Sequence, residues 1–398
     1  MNSDELQVLG TEKKPRKRNK LTISIIVLIA IILGIGIFAY LCSLQPEKIK
    51  TGKKMGDSTI VPELQAAVDS FLMAEMEEIG ATQGQTIVMD VQTGEIVAMV
   101  GLEINFEKKY QPCKNFAYQQ DMGSVMKTAS LLAALETGKV KLSDEVDAGV
   151  GIHALNSDIV MRDHNWHRGG YGVITVAKAL MVSSNIGICK AVDKAFGKNQ
   201  QQFYDMLDKM GYGQPDSIEG IVGLKPTTYS SPKDSDWVNY NMWWSAIGYD
   251  RKIAPIQVLT FYNAIANDGK MVKPTLKTGV VEIINPQIAS KASIDSVQVA
   301  LESVVSEGLG KRAGTPLLLV AGKTGTSEVD EYYYGDNSVA EYQLSFCGYF
   351  PANKPKYSMI VSINKIGLPA SGGFMAGQVF HNIVEWMIKH GMVSPTGQ

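Results

Sequence analysis

From Gly123 to Gly138 the chain reads GSVMKTASLLAALETG. A serine follows a glycine, a lysine stands three places beyond the serine, and Met126, Leu131, Leu132 and Leu135 then recur at helical spacing. The pattern predicts a helix that opens at Ser124 with an apolar face and ends near Gly138. Residues three apart on a helix lie on one side, a turn from each other. A serine hydroxyl is a weak nucleophile until a base within hydrogen-bond reach takes its proton. Lys127 stands where such a base would be needed for Ser124, and the positive end of the helix would favour an oxyanion forming beside it.

The same spacing recurs at Ser230/Lys233 and Ser362/Lys365. The first pair lies in Ser-Ser-Pro-Lys, a loop composition. The second lies in a strand pattern, where positions i and i+3 point to opposite faces. Two further short patterns follow Ser124 in order, Ser183-Ser-Asn185 and Lys323-Thr-Gly325. Lys323 ends the apolar run Leu317-Leu-Leu-Val-Ala-Gly322, and Thr326 and Ser327 follow it. A lysine, hydroxyls and the side-chain-free Gly325 on one strand suit a backbone laid beside a peptide-like substrate. A second Lys-Thr-Gly, at Lys277 to Gly279, lacks the following hydroxyls. Ser183 or Ser184 alone would pass for a helix N-cap. A serine with a lysine one helical turn on predicts nucleophilic catalysis through Ser124.

Outward from these motifs, Pro62 to Gly80 predicts a helix, with Leu64, Ala67, Val68, Phe71 and Leu72 on one side. Thr86 to Val91 and Glu95 to Val100 flank Gln92-Thr93-Gly94 and predict a hairpin. The middle, about Met122 to Gly269, is mostly helical in pattern, most clearly at Ala129–Leu135 and Ile253–Ala266. Strand patterns return at Pro316–Lys323, Gln343–Tyr349 and Tyr357–Ile363, and a last amphipathic helix runs from about Gly377 to His390. Strands at both ends with helices between predict one sheet completed by distant segments, with a helical lobe inserted.

At the other end of the chain, Leu21 to Cys42 is uncharged and nearly all apolar, long enough to span a bilayer. The basic run Lys13 to Lys20 before it, six cations against four at Lys48, Lys50, Lys53 and Lys54, favours a cytoplasmic N-terminus. Tyr40-Leu-Cys42 lacks the small residues of a cleavage site, which predicts an uncleaved anchor. The expected organisation is a basic tail (1–20), a transmembrane anchor (21–43), a linker (44–60) and a catalytic domain (61–398).

The 398 residues carry a net charge of −2, with no bulk positive field for a nucleic-acid partner. Cys42, Cys113, Cys189 and Cys347 are scattered, without the spacing of a metal knuckle or disulfide framework. His164-Asn-Trp-His167 offers two histidines but no identifiable third ligand, so no metal is expected. His153, His381 and His390 form no constellation, and Trp237, Trp243 and Trp244 read as core packing. No phosphate-binding loop is present, and no cofactor is expected.

The ordered motifs are those of penicillin-binding proteins and class A β-lactamases. Together with Thr93-Gly-Glu-Ile-Val-Ala98, Gly123-Ser124, Ser183-Ser-Asn-Ile-Gly187, Ala264-Ile-Ala-Asn-Asp-Gly269, Ala321-Gly-Lys-Thr-Gly-Thr326 and Phe346-Cys-Gly-Tyr-Phe350, they make the chain resemble the transpeptidase domain of monofunctional (class B) penicillin-binding proteins, over roughly Val61 to Met387. The resemblance implies an α/β fold, a central antiparallel sheet flanked by helices plus an all-helical lobe, with the site between them. It implies a D,D-transpeptidase of the cytoplasmic (inner) membrane, anchored through residues 21–43, its catalytic domain on the outer side. Peptidoglycan stem peptides and β-lactam antibiotics would be its ligands and cell-wall synthesis proteins its candidate partners. Ser124 would form the acyl-enzyme, Lys127 would be the base, its pKa lowered by burial and by Lys323, and Ser183 would relay the proton. Asn185 would hold a substrate amide. Lys323, Thr324 and Thr326 would take the terminal carboxylate, and the N–H groups of Ser124 and Thr326 would form the oxyanion hole. The chain departs from the family at Asp121-Met122, where Glu-Pro is usual, at Gly248-Tyr-Asp-Arg-Lys252, and in a short linker where a large pedestal is usual. Two other readings are a serine β-lactamase and a membrane-bound β-lactam sensor. A class A β-lactamase activates water with a glutamate in Glu-x-x-Leu-Asn, and none of Glu219, Glu282, Glu302 or Glu307 has that setting.

Overall fold

The structure is a computed structural model that describes residues 57–334 and 337–395. The tail, the anchor expected at 21–43 and most of the linker lie outside the described residues; among those described, no helix is long and apolar enough to cross a membrane. Thr59 is already part of the domain. It is buried, its N–H donates to Leu276 O, and its hydroxyl donates to Ile96 O at 2.5 Å.

Helix α1 (Pro62–Ile79) begins with a proline at its first turn, where no amide donor is needed. It stops at Gly80, whose left-handed backbone (φ 65°) turns its N–H back to Met76 O. Leu64, Val68, Leu72 and Met76, four apart, form its fully buried stripe; the predicted Ala67 and Phe71 flank it, half-buried.

That stripe packs on a six-stranded antiparallel sheet. Its strands are β1 (Ala81–Asp90), β2 (Ile96–Ile104), β3 (Tyr110–Pro112), β4 (Ala321–Tyr334), β5 (Asn337–Phe350) and β6 (Tyr357–Ile366), in the order β4-β5-β6-β1-β2-β3. The predicted hairpin is β1–β2, and its turn is held by Asp90, whose carboxylate accepts the N–H groups of Gln92 and Thr93. The two ends of the chain meet where β1 pairs β6, Ile87 opposite Ile360. Ile87, Met89, Cys347 and Ile360 belong to the core shared with the helical lobe. Val88, Phe346, Met359 and Val361 belong to the core shared with α1 and the C-terminal helix Met375–Lys389. Both faces are covered, so these strands read as continuous apolar runs rather than alternating ones.

Two expectations need correction. The strand predicted over Pro316–Lys323 starts only at Ala321 and continues to Tyr334. Leu318 and Val320 are buried, but Leu317 and Leu319 are about two-fifths exposed; the apolar run is a loop closed by a bridge between Thr315 and Leu318. The true continuation, from Ser327 to Glu331, is charged and was hidden by its polarity. Nor is the inserted lobe all helical. Besides α2 (Met126–Glu136), α3 (Val176–Met181), α4 (Asn185–Phe196), α5 (Gln201–Met210), α6 (Asn241–Ala246), α7 (Pro255–Ala266) and α8 (Lys291–Ser306), it holds short antiparallel pairs. Glu145–Asp147 pairs Val173–Thr175, Ile152–Ala154 pairs Val160–Arg162, and Arg251–Ile253 lies between Gln120–Asp121 and Thr228–Tyr229. Two- and three-residue strands carry too little periodicity to be read from sequence.

Helix α7 is buried along its whole length, and α2 from Met126 to Leu135. They meet at Tyr262, whose hydroxyl donates to Val125 O at 2.8 Å and lies 2.6 Å from Thr128 Oγ1. Burial holds this phenol well above its ordinary pKa, so it stays a donor. The contact fixes the turn that carries Ser124. Tyr262→Phe leaves the Val125 carbonyl and the Thr128 hydroxyl without this partner. It should lower unfolding stability by about 1–3 kcal/mol, read as a lower urea midpoint at unchanged slope; an unmoved midpoint would show that the hydroxyl does not brace the turn.

Candidate active site

Ser124 sits in a 3-10 turn, Gly123–Val125, that runs directly into α2. The turn is held from three sides. Tyr262 grips Val125 O, as described. Gly123 (φ 58°) donates to Gly248 O at 3.2 Å, and a Cβ on Gly248 would collide with the Gly123 carbonyl. From the sheet, Ser327 Oγ donates to Asp121 O at 2.8 Å. Gly325 faces the turn as well: a Cβ there would lie 2.9 Å from Met122 O and 3.2 Å from Val125 Cγ1. Its lack of a side chain lets β4 lie against the Ser124 turn.

Beneath the turn two lysines converge on one hydroxyl. Lys127 is fully buried, and its Nζ donates to Ser183 O (2.7 Å), Ser183 Oγ (3.1 Å) and Asn185 Oδ1 (2.6 Å). Lys323, also fully buried, donates to the same Ser183 Oγ (2.9 Å), to Thr324 O (2.9 Å) and to Thr324 Oγ1 (3.3 Å). An ammonium has three donors, and Lys127 uses all three on the Ser183–Asn185 segment, none on Ser124. Loss of one proton would remove one donor and expose a lone pair.

Burial favours that loss. It pushes Lys127 from 10.5 down to about 8, against the opposing pull of Asp163. Lys323 is driven well below the ordinary lysine range by burial and by the charge of Lys127. Two ammonium groups that share one hydroxyl repel each other, so burial and this repulsion together lower the pKa of the pair.

Ser183 has φ 56°, a left-handed backbone uncommon outside glycine. The residues after it start α4. Ser184 is the N-cap, its Oγ accepting Gly187 N–H (2.9 Å) and donating to Asp163 Oδ2 (2.7 Å). Asn185 Nδ2 donates to Arg162 O (2.7 Å). The capping reading thus belongs to Ser184, which leaves Ser183 free to face the lysines.

Above this floor lies a cleft of about 370 Å³, lined in part by Ser124, Ser183, Asn185, Thr324 and Thr326. Lys127 and Lys323 lie below it and Gly325 is turned toward the Ser124 turn, so all eight predicted residues belong to one assembly. Ser230 hydrogen-bonds Asp250 and Ser362 accepts from Gln343 inside the sheet, and neither lines the cleft. Three further polar side chains line the cleft that the sequence does not single out for it: His164, Tyr249 and Ser371. His164 was weighed only as a metal ligand; its adjacency to Asp163 carried no visible signal. Ser371 opens a Ser-Gly-Gly loop whose Gly372 N–H donates to Thr326 Oγ1 (3.0 Å). Cys113, Cys189 and Cys347 are buried free thiols.

The chain is similar to known proteins over most of the described residues. Residues 84–385 match the penicillin binding protein transpeptidase domain. The chain is 26% identical to the probable peptidoglycan D,D-transpeptidase PbpC of Pseudomonas aeruginosa, over 87% of this chain and 61% of that protein. It is 27% identical to the stage V sporulation protein D of Bacillus subtilis, over 84% of this chain and 55% of the relative. The chain thus spans about half to three-fifths of the length of these curated relatives. The apo transpeptidase domain of penicillin-binding protein 3 from Burkholderia pseudomallei superposes with a TM-score of 0.72 at 26% identity, covering 86% of this chain and 98% of that one. The chain belongs to the penicillin binding protein transpeptidase domain family.

Proposed function

We propose that this chain is a peptidoglycan D,D-transpeptidase that works through an acyl-enzyme on Ser124. The observation that carries the reading is the placement of a fully buried Lys127 one turn after Ser124, linked through Ser183 Oγ to Lys323 under the cleft wall. In this account Lys127 loses its proton and turns its lone pair to Ser124. The serine oxygen attacks the carbonyl of the penultimate D-alanine, and its proton passes to Lys127. The N–H groups of Ser124 and Thr326 hold the oxyanion. The tetrahedral adduct expels the terminal D-alanine as its amine takes that proton through Ser183, leaving the ester on Ser124. An amine from a second stem peptide then displaces the serine and forms the cross-link.

Substrate binding follows from the same residues. Lys323 with the Thr324 and Thr326 hydroxyls would bind the terminal carboxylate, whose charge favours protonated Lys323. Asn185, its oxygen occupied by Lys127, would offer its remaining amide hydrogen to the substrate backbone. A β-lactam presents a carboxylate and a strained amide at the same spacing and would acylate the same serine. We place residues 61–398 outside the cytoplasmic membrane, where peptidoglycan is cross-linked, with Leu21 to Cys42 as the anchor.

Resolution of the ester separates this reading from a β-lactamase. Hydrolysis needs a base that holds water at the ester. His164 lines the cleft, but its Nε2 is engaged by Tyr171 Oη at 2.6 Å and Val182 O at 3.3 Å. Lys127 Nζ is turned to Ser183 and Asn185.

Two outcomes are expected. Fluorescent penicillin should label the full chain on the peptide that contains Ser124. Ser124→Ala should abolish labelling, and Lys127→Ala should slow it by about 10²-fold or more while the protein stays folded. Label mapped to Ser230 or Ser362, or retained in Ser124→Ala, would remove the assignment. With excess penicillin, about one equivalent should be consumed per protein and the ester should persist, since unassisted ester hydrolysis has a high barrier. Rapid multiple turnover to penicilloic acid would make the chain a β-lactamase.

A further inference from the structure

Ser183 needs a particular orientation, and the bonds that impose it come from three consecutive residues. Arg162 O accepts Asn185 Nδ2 at 2.7 Å. The buried Asp163 carboxylate accepts Ser184 Oγ at 2.7 Å and Ile186 N–H at 3.1 Å. His164 Nε2 lies 3.3 Å from Val182 O, the carbonyl of the peptide bond that leads into Ser183. Tyr171 Oη meets the same nitrogen at 2.6 Å and the same carbonyl at 3.5 Å, with the two rings edge to face at 5.8 Å. The other side of the Val182–Ser183 peptide is fixed by Ser183 N–H, which donates to Leu180 O at 3.1 Å.

We propose that His164 and Tyr171 form a clamp on the Val182 carbonyl that positions Ser183 between Lys127 and Lys323. The physical need is plain. A serine at φ 56° sits in a sparsely populated conformation, which persists only where its surroundings over-determine it. If the Val182–Ser183 peptide plane rotated, the Ser183 side chain would swing with it, and Oγ would leave the point where both Nζ atoms reach it. Asp163 and Arg162 already hold the residues after Ser183. The His164–Tyr171 pair supplies the hold on the residue before it. His164 also lines the cleft, so the clamp lies beside the substrate and not in a remote core. The two residues act on the reaction through Ser183; they are positioning residues rather than reacting ones.

This inference rests on the acyl-enzyme reading, and its test keeps the two apart. The full chain and its Tyr171→Phe, His164→Ala, His164→Gln and double Tyr171→Phe/His164→Ala variants are acylated with fluorescent penicillin, and the maximal rate and half-saturating concentration are measured separately. Tyr171→Phe and His164→Ala should each lower the maximal rate about tenfold, the scale of one lost hydrogen bond, with the half-saturating concentration little changed. His164→Gln, which returns an N–H near the Nε2 position, should restore most of the rate. The double variant should lose little more than either single one, because partners in one contact do not add. Amide hydrogen exchange over residues 180–187, a readout independent of activity, should rise in Tyr171→Phe. A wild-type rate and unchanged exchange in Tyr171→Phe, or losses that multiply in the double variant, would overturn the clamp and leave the acyl-enzyme reading standing. Absence of labelling in the wild-type chain would overturn both.

Discussion

Two buried lysines reach for one serine hydroxyl, and the rest of the structure serves to keep them there. Burying an ammonium is costly unless it is paired. The acid that acts on Lys127, Asp163, already holds Ser184 and Ile186. The site therefore cannot comfortably carry two full positive charges, and protons are easily given up. A substrate carboxylate entering beside Thr324 and Thr326 would supply the missing negative charge. In the resting arrangement every Lys127 donor points at the Ser183–Asn185 segment, so in the proposed mechanism the base would be stored away from Ser124 and become available by losing a proton.

Holding such a site requires three separate parts of the chain to agree to within a hydrogen bond. The Ser124 turn enters α2, Ser183 lies between α3 and α4, and Lys323 comes from β4. The closures between them are specific: Tyr262 onto Val125, Gly248 onto Gly123, Ser327 onto Asp121. Behind them stands a sheet covered on both faces, closed by pairing β1 with β6 from opposite ends of the chain. Such a scaffold resists local opening because its strands lie between two cores. The strained Ser183 backbone persists because its neighbours on both sides are hydrogen-bonded in place.

Much of this was legible in the amino-acid sequence, and what was not has physical reasons. Helix α1 announced itself through Pro62, Gly80 and apolar residues four apart. Ser124 with Lys127 differs from its decoys because it opens a helix, whereas Ser230 lies in a loop and Ser362 in a strand. The anchor and the basic tail lie outside the described residues. The start of β4 was misplaced because Leu317 to Val320 is apolar for loop packing, while the strand itself turns charged after Ser327. Nothing in the sequence reveals the left-handed conformation of Ser183, which depends on contacts made by Arg162, Asp163 and His164. Those contacts are tertiary, and their residue types are ordinary. The same holds for Ser371, brought to the cleft by the loop after β6.

The account turns on Lys127 being the group whose neutral form drives acylation. The most direct test is the second-order rate constant for penicillin acylation measured against pH, which reports the free protein. A base must be deprotonated to accept the Ser124 proton, and the neutral fraction of Lys127 grows as pH rises past its pKa. The rate constant should therefore climb through a midpoint near 8, where burial has brought this lysine from 10.5. A profile that is flat through that region, or one whose midpoint stays near 10.5, would contradict the account.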